Sequence, residues 1–263
     1  MVAGGSEGVD ELIVIERYYD AVPRVSATTE EIGPFTLFVA DEATSWQFYA
    51  RPRLGLTDDV TADDVRRVVA RQDELGVPRA IEWVRETTPS LLDAVREALP
   101  GVDVEEVPLM VSRRRGQDLR EVPGRRVVLT GDSVDLAPVV GVIGAAFAGR
   151  DDHEPGTVGV RPRLLDEGTL LMVAGYDETG ALVGGGSAAP RGTVAELMGI
   201  ATLPAARGRG HGTAITNALR TELRGRGVDT VFLTAASDDA TSIYAAMGFE
   251  RVATGCILGT GDE

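Results

Sequence analysis

From Val194 to Ala235 the chain runs through an apolar stretch, a glycine-rich turn, an amphipathic stretch and a second apolar stretch. VAELMGIAT reads as a strand, and RGRGHG (Arg207 to Gly212) as the turn after it. GTAITNALRTELRGRG then sets Ile215, Leu219 and Leu223 at four-residue spacing, one face of a helix stopped by Gly225 or Gly227. DTVFLTAA has the continuous apolar character of a strand buried on both faces. The flanking segments agree with this pattern. RRVVLTG predicts a strand and LAPVVGVIGAAFAG a helix ending near Gly149. TLLMVAGYDETGALVGGGSAAP predicts two strands around a turn at Asp177, Glu178, Thr179 and Gly180. DDATSIYAAMGF reads as a short helix closed by Gly248, and FERVATGCIL returns as a strand. The order is that of a mixed α/β sheet with helices on its faces.

A length of 263 residues allows one large domain or two modest ones. The stretch RRRGQDLREVPGRR (Arg113 to Arg126) reads as a linker or crossover between two similar halves. The first half ends as the second does, with helix, strand, helix and strand from Thr61 to Val111, and Gly76-Val77 stands where Gly227-Val228 stands later. An internal duplication accounts for this, as does the general likeness of α/β segments.

All 26 basic residues are arginine. Without lysine there is no Schiff-base chemistry and no lysine-bearing P-loop. Two histidines, His153 and His211, and one cysteine, Cys256, disfavour a zinc site of His and Cys ligands and leave little for a catalytic triad. The net charge is −15, and both halves are acidic, which disfavours nucleic acid as a partner. The N-terminal segment lacks a basic region followed by an apolar core, and no stretch approaches the roughly 18 apolar residues of a membrane span. A soluble cytoplasmic protein without a membrane partner is the expectation.

The RGRGHG turn has two readings. Gly208, Gly210 and Gly212 at a helix start, with Arg207 and Arg209 adding charge, would let backbone N–H groups approach an anion. A structural glycine turn explains the same residues. The pattern is not G-x-G-x-x-G, because Thr213 falls at the third glycine's place, so a dinucleotide fold has little support.

The pattern Arg207-x-x-Gly210-x-Gly212 after ELMGIATLP, with IYAAMGF some thirty residues on, resembles the GNAT superfamily of acyl-CoA-dependent N-acetyltransferases over roughly residues 125–258. The resemblance implies a mixed, mostly antiparallel central sheet flanked by helices. It divides the chain into a degenerate GNAT-like domain at 1–120 and a complete acetyltransferase domain at 125–263. In the first half the corresponding turn, LGLTDDVTAD, puts acids where phosphate would sit, so no coenzyme is expected there.

The resemblance also implies residue roles. Backbone groups of Ile200, Ala201 and Thr202 would bind the pantetheine arm. Arg207, Gly208, Arg209, Gly210, His211, Gly212 and Thr213 would hold the pyrophosphate. Tyr244, four residues before Gly248, would protonate the departing thiolate and contact the coenzyme. Glu196, eleven positions before Arg207, would act as base directly or through water. Ser237 stands where the family usually has a coenzyme-contacting Asn.

Each residue also has a plainer reading. Tyr244 serves equally as a core aromatic, Glu196 as a solvated strand residue, and His211 as a solvent-facing filler in the turn. His153 lies in a polar loop that reads as plainly solvated, or as an acidic rim of Asp151, Asp152 and Glu154 suited to an amine. Trp46 and Trp83 read as packing residues and Cys256 as a buried small residue.

The implied activity is acetyl transfer from acetyl-CoA to the primary amine of a small molecule, with no metal, by a monomer or homodimer. Nα-acetylation of a peptide or protein, and acyl-CoA binding without turnover, are the alternatives.

Overall fold

The computed structural model describes residues 6–41, 49–113 and 122–259. Trp46 and residues 114–121 of the arginine-rich stretch lie outside them. The elements in chain order are α1 (Ser6–Ala21), β1 (Ala27–Ile32), β2 (Phe35–Ala40), β3 (Ala50–Pro52), α2 (Ala62–Leu75), β4 (Ile81–Val84), α3 (Leu91–Ala98) and β5 (Glu105–Ser112). They continue with β6 (Arg125–Val128), α4 (Leu136–Phe147), α5 (Arg161–Asp166), β7 (Leu171–Tyr176), β8 (Leu182–Arg191) and β9 (Val194–Thr202). Last come α6 (His211–Gly225), β10 (Thr230–Thr234), α7 (Asp238–Ala246) and β11 (Phe249–Leu258). The expected strands at 194–202 and 249–258 are present. The structure adds the short helix α5 and, ahead of Thr61, α1 and three strands.

The chain forms two compact units. One contains Met1–Met110, Thr234–Asp238 and Arg251–Glu263; the other contains Val111–Leu233 and Asp239–Glu250. Both are mixed α/β, with mostly antiparallel strands flanked by helices.

In the first unit, β1 pairs with β2 and β2 with β3, both antiparallel. β4 joins parallel to β3, and β11 runs antiparallel to β4, with Cys256 opposite Trp83 and Leu258 opposite Ile81. The chain's last strand is therefore built into the sheet of the first unit. The core there combines Phe35, Leu37, Val65, Val68, Trp83 and Cys256. Cys256 is the buried small residue expected, and burial pushes its thiol up to about 11. Trp83 is a packing residue, as expected.

In the second unit, β6, β7, β8 and β9 form an antiparallel meander, and β10 adds parallel to β9. The parallel step explains the sequence order, because a parallel neighbour requires a crossover, supplied here by α6. The same relation holds between β3 and β4 around α2. The β7–β8 turn is closed by Asp177, whose carboxylate accepts from the Thr179 and Ala181 N–H groups.

Three consecutive glycines in β8 set how closely the helices approach this sheet. A Cβ at Gly185 would lie 2.8 Å from Val139 Cγ1 of α4. A Cβ at Gly186 would lie 2.9 Å from Ile200 Cγ1 and 3.1 Å from Ile215 Cγ2 of α6. Gly185→Val is expected to overpack the α4 face and lower stability by roughly 1–3 kcal/mol, read as a lower Tm in calorimetry; an unchanged Tm would mean that α4 is free to move away.

Candidate active site

β9 and β10 run as parallel partners only at their starts. The paired positions are Thr230 with Val194, Val231 with Ala195 and Phe232 with Glu196. Beyond Glu196, β9 continues for six residues to Thr202 paired with β8, not with β10. The two strands part there, and backbone groups of β9 face the opening. The departure coincides with an irregularity. Register against β8 shifts between Gly185 and Ser187, and Gly199 takes φ +59°, the left-handed region that a side chain would strain. The extra residue in β9 is a bulge just before Ile200, Ala201 and Thr202.

The turn after β9 leads straight into α6. Gly210 is the residue before the helix and holds φ +86°, which is why glycine stands there. The first helical bond runs from Ala214 N–H to the Gly210 carbonyl. The N–H groups ahead of it have no acceptor within the helix, and α6 places no acidic residue in its first turn. No acid of α6 itself offsets the positive end of its dipole.

The corresponding helix of the first unit differs. The Thr61 side chain caps Asp64 N–H, and the Asp64 carboxylate accepts from Thr61 N–H at 2.9 Å. Burial alone would raise the Asp64 carboxyl, but the Thr61 bonds and Arg67 hold it below the usual carboxylate range. The end of α2 is already neutralised by its own acids.

Three placements differ from the simplest reading of the sequence. Arg207 does not stand as a free charge in the turn. Its guanidinium donates to Thr202 O at 3.1 Å and to Ala146 O at 2.8 Å, tying the end of β9 to the last turn of α4. His211 is not a solvent-facing filler, because it is only 6% exposed and its Nδ1 has no hydrogen-bond partner among the described residues. It lies close enough to Asp177 to help lower that carboxyl, after the Thr179 hydroxyl bond as the main cause. Asp151, from the acidic rim, turns its carboxylate to accept from Ala205 N–H at 2.8 Å, beside the α6 turn. Asp152, His153 and Glu154 remain exposed.

Tyr244 is no core aromatic. α7 buries none of its residues fully, and Tyr244 is half-buried with its ring edge-on to Phe249 at 5.6 Å. Burial raises its phenol pKa, so the hydroxyl stays protonated at neutral pH. Glu196 is half-buried, at the last paired position before β9 and β10 part. Ser237 is exposed in the turn between β10 and α7. Arg209 is exposed, and Gly212 and Thr213 occupy the first turn of α6.

Residues 140–249 match the model of the acetyltransferase (GNAT) family. This chain carries a GNAT domain. The match runs from within α4 to the first residue of β11 and takes in the strand opening, the α6 turn, Glu196 and Tyr244. A GCN5-related N-acetyltransferase from Kribbella flavida shares the fold at a TM-score of 0.73 and 20% identity, covering 95% of this chain and 96% of that one. One from Sphaerobacter thermophilus does so at 0.60 and 14%, covering 95% and 86%. A tandem GNAT protein from the clavulanic acid biosynthesis pathway follows at 0.54 and 16%, covering 87% and 79%. Among curated proteins there is no match.

A match to the acetyltransferase (GNAT) family model over residues 140–249 indicates an acyltransferase domain in that part of the chain. The glycine triplet of β8, the Gly199 bulge and the Arg207 clasp were not read from the sequence. Of these only the triplet leaves a sequence signal, since consecutive glycines inside an apolar strand mark close approach of neighbouring structure. Arg207→Met should remove both carbonyl bonds and cost roughly 1–2 kcal/mol, measured as a shift in the denaturant midpoint. No shift would show that the clasp adds nothing to the fold.

Proposed function

We propose that this GNAT domain transfers an acetyl group from acetyl-CoA to the primary amine of a small molecule, by direct attack of the amine on the thioester. The observation that carries the reading is the opening of β9 from β10 immediately ahead of an uncapped, acid-free helix start. An extended thioester arm fits along an unpaired strand edge, and a pyrophosphate fits unsatisfied N–H groups at a helix N-terminus. The first unit's equivalent helix end, with its own carboxylates, offers no such fit.

On this reading the chain's residues divide the work. Backbone groups of Ile200, Ala201 and Thr202 bind the pantetheine arm and polarise the carbonyl. The N–H groups from Gly208 to Thr213 bind the pyrophosphate, with Arg209 adding charge. Arg207 acts by fixing the turn, and His211 offers its unpartnered ring nitrogen. Glu196 takes a proton from the incoming ammonium, directly or through a water, because only the neutral amine attacks. Tyr244 returns a proton to the departing thiolate, and its raised pKa keeps that proton available. Ser237 supplies a hydrogen bond to the coenzyme. The loop carrying Asp152 and Glu154 draws in the cationic acceptor. The halves at 1–120 and 125–263 are proposed as two GNAT-like units, the first without a coenzyme, in a cytoplasmic monomer or homodimer.

An amine panel with acetyl-CoA, followed by release of free thiol, tests the activity; absence of thiol release with every amine would leave binding without turnover. Tyr244→Phe should lower kcat about 10- to 100-fold with little change in coenzyme affinity, and unchanged turnover removes Tyr244 from the mechanism. Gly210→Trp should abolish coenzyme binding in titration calorimetry, since its Cβ would fall 3.0 Å from Val122 Cγ2 and its φ is left-handed. Retained binding would place the pyrophosphate elsewhere.

A further inference from the structure

His211 is the first residue of α6, directly after Gly210, and one of two histidines in the chain. Its side chain is buried, and its Nδ1 has no hydrogen-bond partner among the described residues. A glycine-rich turn needs backbone freedom, which an imidazole does not supply, so the turn by itself does not account for the ring. The ring shares the opening turn of α6 with Gly212 and Thr213, whose N–H groups precede the first helical bond at Ala214. A buried group able to gain a charge thus belongs to the same helical turn as N–H groups that have no acceptor in the helix.

The charges around this end of α6 come from the strands and turns packed against it. The β7–β8 turn brings Asp177 and the exposed Glu178. The Asp177 carboxyl is held down first by the Thr179 hydroxyl and, as the smallest cause, by the charge of His211, which puts the two within electrostatic reach. β6 brings Arg125, stacked over the Tyr176 ring at 4.0 Å, and Arg126, which donates to Val122 O at 2.8 Å. The glycine turn brings the exposed Arg209 and the Arg207 already bound to Thr202 O and Ala146 O. β8 and β9 bring no charged side chain to the ends that pair at Gly184 and Thr202. Asp177 favours a charged imidazole, while the arginines and the helix dipole oppose it. An anion held at the turn would tip that balance.

We propose that His211 takes up a proton from solvent when the coenzyme's pyrophosphate binds at the α6 turn, so that coenzyme affinity rises as pH falls. This rests on the pyrophosphate reading of that turn. Neutral imidazole becomes imidazolium, and no bond of the coenzyme changes. Negative charge arriving at the helix start favours the charged ring, and burial of the ring weakens the screening between them. The sign follows from linkage. A midpoint raised in the complex gives extra affinity that is complete below the midpoint of the free protein and is lost as pH rises through that of the complex. In this role His211 acts on affinity and does not touch the thioester.

The test uses the full chain and coenzyme A, with the two imidazole rings followed by NMR across the histidine titration range. His153, exposed in its loop, is the internal reference, and His153→Gln assigns its signal. Saturating coenzyme should move the His211 midpoint up by about one pH unit and leave that of His153 in place. In titration calorimetry the unaltered chain should then gain about tenfold more affinity between the alkaline and acid limits than His211→Asn gains. A His211 ring that does not titrate, or whose midpoint stays or falls when coenzyme binds, overturns the inference and leaves the pyrophosphate reading standing. A shift shared equally by His153 does the same. Absence of any coenzyme-induced signal change, together with absence of binding heat, overturns the pyrophosphate reading and the inference with it.

Discussion

Ile215 of α6 rests where the sheet has almost no side chains. Its side chain would come within 2.8 Å of a Cβ at Gly175 and within 3.1 Å of one at Gly184 or Gly186. Those missing side chains let α6 lie close against β7 and β8. Closeness of that helix aligns its first turn with the end of β9, so the uncapped N–H groups and the unpaired strand edge meet at one place. On the other face Gly185 does the same for Val139 and Ile143 of α4. Close packing of two helices on one glycine-thinned strand is therefore the constraint on which the candidate site's geometry rests.

Arginine then fixes what packing brings together, and in the second unit several of these links run to carbonyls. Arg207 joins β9 to α4, Arg220 reaches the end of α7, and Arg191 donates to Thr169 O at 2.7 Å. Each guanidinium satisfies carbonyls in loops or at helix ends, where the backbone leaves acceptors without partners. A lysine-free chain uses its one kind of long cation as structural cement. That use also explains why Arg207, the first residue of the glycine-rich turn, bonds to β9 and α4 and turns away from the turn.

The two units share one local arrangement, a crossover helix between parallel strands, with different electrostatics at the helix start. Both place a crossover helix between parallel strands, β3 and β4 in the first and β9 and β10 in the second. In the first, Asp63 and Asp64 occupy the opening turn of the helix and a buried Arg51 lies between Glu16 and Glu82 nearby. In the second, the opening turn is His211, Gly212 and Thr213, without a carboxylate. A few residues at the two helix starts separate an end that neutralises itself from one that carries no acid of its own.

Much of this was legible in the chain. Apolar runs such as VAELMGIAT and FERVATGCIL mark β9 and β11 to the residue, because a strand's pattern is local. The spacing of Ile215, Leu219 and Leu223 sets the buried face of α6 for the same reason. The turn motif, read together with Tyr244 and Gly248, points to the family. Other features depend on partners distant in the sequence. That β11 pairs with β4, some 170 positions earlier, follows from no local signal. The burial of His211 depends on what surrounds the helix start, and the Arg207 clasp on where α4 ends. Composition and periodicity marked most elements from Thr61 onward. Only the folded chain decided which backbone edges stay open and which charges are already spent, because those depend on distances between segments that the sequence leaves far apart.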